Sequence, residues 1–112
     1  MSMSRGMDTV LGEWFAKEEP MIRRGRGNDG STTITFSLPQ TIENAPISVV
    51  GTFNDWQPGA TPLVRRNDGT WSTTVNVFPG THVVFRYLGT NGAWFDDFDA
   101  EWVDWEGGHL NA

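Results

Sequence analysis

The chain has 112 residues, 38% of them hydrophobic, enough for one compact domain around a single core. It contains no cysteine, which excludes disulfides and thiolate metal sites and fits a reducing cytoplasm, the expected location. The formal charge of −6 argues against nucleic-acid binding, which needs a basic field, and no run of about 18 apolar residues is present to span a membrane.

The opening residues, MSMSRGMDTVLGEW, lack the continuous apolar stretch of a secretory signal. Instead Met7, Val10, Leu11, Trp14 and Phe15 recur at the spacing of one helical face, which predicts a short amphipathic helix over residues 7–17. Gly12 weakens it and Pro20 ends it. The following MIRRGRGNDG, rich in glycine and turn residues, reads as a flexible connector. Residues 1–30 are therefore expected to be helix and connector, and residues 31–112 the folded domain.

From Ser31 the period becomes two. Ile34, Phe36 and Leu38 share one face of STTITFSL, while Thr33, Thr35 and Ser37 share the other. Ile47, Val49 and Phe53 alternate with Ser48, Val50 and Thr52. Trp71, Thr73, Val75 and Val77 point one way, and Val83, Phe85 and Tyr87 oppose Val84, Arg86 and Leu88. Turn residues separate these runs: ENAP at 43–46, NDG at 67–69, FPG at 78–80 and TNG at 90–92. Short alternating strands at this spacing predict an all-β antiparallel sandwich.

An ordered set of motifs runs through this region. It comprises Gly51, Phe53, Asn54 and Trp56; Pro62 and Leu63; Asp68, Gly69 and Trp71; Pro79 and Gly80; Phe85, Arg86 and Tyr87; and Gly92, Trp94 and Asp97. The set resembles the glycogen- and starch-binding modules of the isoamylase N-terminal, or early-set, type. That group includes the glycogen-binding domain of AMP-activated protein kinase beta subunits. The resemblance covers residues 32–112, and the chain looks most similar to free-standing bacterial proteins of this type. It implies an immunoglobulin-like form of the sandwich and non-catalytic binding of α-glucans such as glycogen or starch. In larger relatives a glycosidase barrel follows, but a barrel needs roughly 250 residues, so no enzyme is expected here.

The chain has six tryptophans. A Trp in a turn, such as Trp56, ordinarily folds back over the edge of its own domain. The resemblance implies instead that Trp56 and Trp94 are stacking platforms, on which a flat indole covers the C–H face of a glucose ring. Trp71 has the parity of Val75 and Val77 and belongs to the core; Trp14 would dock the helix. Trp102 and Trp105 are open between covering the helix, extending a sugar surface and an oligomer contact. Arg86 opposes Phe85 and Tyr87 and points outward. It is either a sugar-binding cation, as the resemblance implies, or a strand arginine paired with a carboxylate. Asn111 matches a terminal Asn that reaches sugar in the family, an amide being suited to hydroxyls because it both donates and accepts. Its place beside the C-terminus exposes it to fraying. Asn54 is expected to brace its own turn.

WFDDFDAEWVDWEGG departs from the family pattern by its charge, with six acids between Asp96 and Glu106. An EF-hand counted from Asp97 fails, because Trp102 and Gly108 stand where Gly and Glu are required. His82 and His109 are too far apart in sequence to form a metal motif by themselves. A catalytic carboxylate pair, Asp96 or Asp97 with Glu106, lacks a cleft to span. The segment reads as a solvated acidic loop, able to pair with Arg23, Arg24 or Arg26 in the same or a neighbouring chain. No cofactor, metal or catalytic residue is expected. The expected partner is an α-glucan, with a glucan-metabolising enzyme or self-association through the helix as further partners. The alternative is a protein-interaction or assembly module on the same fold that has lost sugar binding.

Overall fold

A computed structural model describes residues 20–42 and 45–112. The helix expected over residues 7–17 lies outside the described residues. Within them the chain forms strands β1 (Met21–Arg26), β2 (Thr32–Leu38), β3 (Ser48–Gly51), β4 (Val64–Arg65), β5 (Trp71–Val77), β6 (His82–Leu88), β7 (Trp94–Phe95), β8 (Trp102–Asp104) and β9 (Gly107–Asn111). They make two sheets, ordered β1-β2-β5-β4 and β3-β6-β9-β8, with β7 added to β6. Every pairing is antiparallel. The expected all-β sandwich is present.

The alternation seen in the sequence is what joins the layers. Ile34, Phe36 and Leu38 from one sheet meet Val49, Val83, Phe85, Tyr87 and Leu110 from the other in a single buried cluster, with Ile47 and Leu63 beside them. Phe36 is its centre, 4.7 Å from the Phe85 ring and edge-on to Tyr87 at 6.3 Å. Each such side chain contributes about 1.5–3 kcal/mol on burial. Trp71 packs half-buried against this cluster, opposite Leu38, as its parity requires.

Residues 21–26 differ from the expectation of a flexible connector. They are strand β1, in register with β2 from Met21↔Ser37 to Arg26↔Thr32. As an edge strand, β1 needs only Ile22 turned toward the core, so its three arginines do not oppose pairing; exposed charge at an edge also discourages association with other chains. Its outer edge is closed by the acidic segment of the opposite sheet. The Ile22 amide donates to Asp99 Oδ2 at 2.7 Å, and Arg24 Nε donates to the Asn111 carbonyl at 3.0 Å. Arg24 also forms an ion pair with Glu101. The connector arginine and acidic loop thus pair within one chain.

Candidate functional site

The GTFNDW stretch folds as a 3-10 turn, Thr52–Asn54, at the end of β3. Asn54 braces it as expected. Its Oδ1 accepts from the Gly51 amide, and its Nδ2 donates to the Val49 carbonyl and to Thr61 Oγ1, each at 3.0 Å. A Cβ at Gly51 would collide with the Val84 carbonyl, so the strand passage there requires glycine. The Trp56 amide returns to the Gly51 carbonyl at 2.9 Å. This closure places Asp55 and Trp56 in the left-handed region, at φ 56 and 57. An ordinary side chain adopts that conformation at a cost of about 1–2 kcal/mol, and an aspartate tolerates it better than a tryptophan. The strained Trp56 remains 38% exposed.

Trp94 stands in β7, in register with Leu88, and is 48% exposed. The tight turn before it is set by Gly92 at φ 80 and by the Ala93 amide donating to Asn91 Oδ1 at 3.0 Å. Directly opposed residues of an antiparallel pair share a face. Trp94 therefore lies on the outward face of β6 with Leu88 and Arg86, and Val50, opposite Arg86, lies there too. The Trp56 turn abuts the same strand, because Gly51 pairs with Phe85 and the Val84 amide donates to Thr52 Oγ1 at 3.2 Å. Pro58, Gly59 and Pro62, just after Trp56, line one cleft with Leu88, Gly89 and Thr90, which lead to Trp94.

Arg86 is fixed rather than free. Its Nε donates to Asp96 Oδ1 at 3.1 Å and its Nη2 to the Trp105 carbonyl at 2.5 Å. Of the two roles open in the sequence, the carboxylate pair is present. A guanidinium has five N–H donors, so the pair orients the group and leaves donors for another ligand.

Asn111 is not brought beside Trp94. It lies in β9 opposite His82, at the other end of β6 from Leu88, a distance of about 20 Å along the strand. Its amide donates to Glu101 Oε1 at 3.2 Å and its backbone N–H to Glu101 Oε2 at 3.0 Å. The N–H of Asn111 lowers the Glu101 pKa most, with the Arg24 charge adding to the effect. The end of the chain is pinned, with Ala112 exchanging 2.8 Å hydrogen bonds with Gly80 and Thr81.

The acidic segment is not simply solvated. Asp97 is fully buried, accepting the Tyr87 hydroxyl at Oδ2 (2.7 Å) and the Asp99 amide at Oδ1 (2.9 Å). Burial pushes its carboxyl above the usual range. Asp96 is held by Arg86, so of the carboxylate pair weighed in the sequence, Asp96 or Asp97 with Glu106, both candidate aspartates are engaged by other groups.

The two histidines, distant in sequence, touch. Register places His109 opposite Val84 and Asn111 opposite His82, so both imidazoles share the outward face. His82 Nε2 and His109 Nδ1 are 2.8 Å apart, and His109 Nε2 lies 2.8 Å from Asp104 Oδ1. That bond to His109 holds the Asp104 carboxyl below its usual range. Trp102, opposite His109 in β8, stacks on it at 4.6 Å and 10°, and on His82 at 5.5 Å and 27°. Trp105, in the β8–β9 turn, is 82% exposed. Asp104, Glu106 and His109 form the one group among the described residues whose donor atoms, all within 4.8 Å, could hold a cation. A cation there would displace the His109–Asp104 bond.

No protein-family profile matches the chain. It is similar to an alpha-amylase of Niallia circulans, 36% identical over 73 residues. The match takes in 62% of this chain but 6% of the amylase, so the chain spans a small fraction of that relative.

Proposed function

We propose that this protein binds α-glucans without cleaving them, through Trp56, Trp94 and Arg86, on an immunoglobulin-like sandwich of the isoamylase early-set type. The observation that carries this reading is the exposure of the two indoles, at 38% and 48%, with the residues that follow Trp56 and those that lead to Trp94 lining one cleft, and with Arg86 on the outward face that carries Trp94. Trp56 is exposed despite a backbone conformation unfavourable to its side chain, a feature found more often at functional sites than elsewhere. Flat aromatic rings cover the apolar faces of sugars with little loss of conformational freedom. The unspent N–H donors of Arg86 match sugar hydroxyls, and its bonds to Asp96 and Trp105 preorganise it. Similarity to part of an alpha-amylase, named for action on a starch-type substrate, supports a polysaccharide ligand.

Co-sedimentation with glycogen tests the reading, with cellulose as the control. The protein should pellet with glycogen and stay in solution with cellulose, and no reducing sugar should appear. A chain that binds neither polymer would be better read as an interaction module, and release of reducing sugar would make it an enzyme.

A further inference from the structure

The outward face of β6 continues past Arg86 to a second aromatic surface. Trp94 stands opposite Leu88, whereas Trp102 stands opposite His109, which is itself opposite Val84. The two indoles are thus offset by four residues of β6, about 14 Å along the strand. Arg86 lies between them on the same face.

We propose that Trp102, backed by the imidazoles of His109 and His82, is a further sugar platform that only longer α-glucan chains reach. This rests on the α-glucan reading above and extends it to chain-length preference. One indole face is covered by the nearly parallel His109 ring, yet Trp102 is still 43% exposed, so its other face is open. The backing rings are themselves locked, His109 between His82 and Asp104 and only 3% exposed. A platform held in this way loses little freedom on binding, unlike Trp105 at 82% exposure. Polar groups flank it as a sugar requires: Asn111, in register with His82, places its amide at the same end against Glu101. A chain lying on Trp94 and passing Arg86 would need several glucose units to reach Trp102. A short oligosaccharide would engage only the first platforms.

Calorimetry with maltotriose and maltoheptaose tests this on the wild type and on Trp102→Ala. The variant should lose about tenfold in affinity for maltoheptaose and nothing for maltotriose. Trp102→Phe, which keeps a smaller ring on His109, should lose less. In the wild type the Trp102 indole N–H resonance should shift with maltoheptaose and stay in place with maltotriose, which decides the matter even if Trp102→Ala does not fold. Equal losses on both sugars, no loss on either, or an indole that ignores the longer sugar would overturn the proposal. If wild type binds both sugars through Trp56 and Trp94 while Trp102 is inert, this inference alone falls. If wild type binds neither, the α-glucan reading falls with it.

Discussion

Tyr87 donates its hydroxyl hydrogen to Asp97 Oδ2 at 2.7 Å in a fully buried contact, tying β6 to the loop that follows Trp94. Tyr87→Phe would strip that donor from a buried carboxylate at a cost of about 2 kcal/mol. The loss should depend on pH in a definite sense. Burial already raises the Asp97 pKa, so protonation of Asp97 adds stability that is complete below the unfolded value and is lost as pH rises through the folded one. Removing the Tyr87 hydrogen bond, which favours the charged form, raises that folded pKa further. The gap between Tyr87→Phe and wild type should therefore be widest at neutral pH and shrink on acidification. Urea melts at neutral and mildly acidic pH would show a constant gap if Asp97 were not the cause.

Asn54 makes three hydrogen bonds that shape the turn carrying Trp56. Asn54→Ala should cost about 2–3 kcal/mol, at roughly 1 kcal/mol per bond. It should also weaken glycogen binding, because the turn that presents Trp56 loses its brace. Retained binding at full strength, in a variant shown by melting to be destabilised, would separate the turn from the site.

The parts of this fold that were legible in the sequence are those written in side-chain alternation. Ile34, Phe36 and Leu38, and likewise Val83, Phe85 and Tyr87, are all buried as period two requires. The role of Asn54 was legible because short amides bond to nearby backbone. Strand β1 was not, since an edge strand facing acidic side chains has no need of an apolar alternation. The arginine-rich MIRRGR conceals a strand of just that kind. Within the candidate site, Trp56, Trp94 and Arg86 are singled out by motif order, but motif order does not reveal that Asp96 holds Arg86. The contact of His82 with His109 came from register across β6 and β9, a relation that sequence separation hides. Register also places Asn111 at the Trp102 end of the face and away from Trp94.

The β1 edge should respond to acid. Hydrogen bonding from the Asn111 backbone N–H, then the Arg24 charge, lowers the Glu101 pKa. A lowered carboxylate contributes stability that is present above its unfolded pKa, about 4.3, and is lost as pH falls through the folded value. Glu101→Gln should therefore melt below wild type at neutral pH, with the difference vanishing in strong acid. The effect should also fade at high salt, as exposed ion pairs do. Parallel melting curves across the whole acid range would show that Glu101 does not secure this edge.

Trp56 and Trp71 are expected to separate binding from stability in opposite directions. Trp56 holds an indole in the left-handed region at φ 57, a conformation that glycine adopts freely. Trp56→Gly should relieve about 1 kcal/mol of backbone strain, offset in part by the greater freedom of glycine in the unfolded chain and by lost contacts of the half-exposed ring. Its melting temperature should thus stay near that of the wild type, while affinity for maltoheptaose falls about tenfold with the loss of a stacking surface. Trp71 packs against the core opposite Leu38. Trp71→Ala should cost about 3 kcal/mol of stability through the cavity it leaves, a large part of what a domain of this size possesses. Where Trp71→Ala remains folded, on cooling or with osmolyte, its sugar affinity should match wild type, since Trp71 lies on the other sheet from Trp94 and Arg86. Thermal melts and calorimetry on the two variants read both quantities. Loss of folding in Trp56→Gly with affinity preserved would place Trp56 among the structural residues and remove it from the binding site.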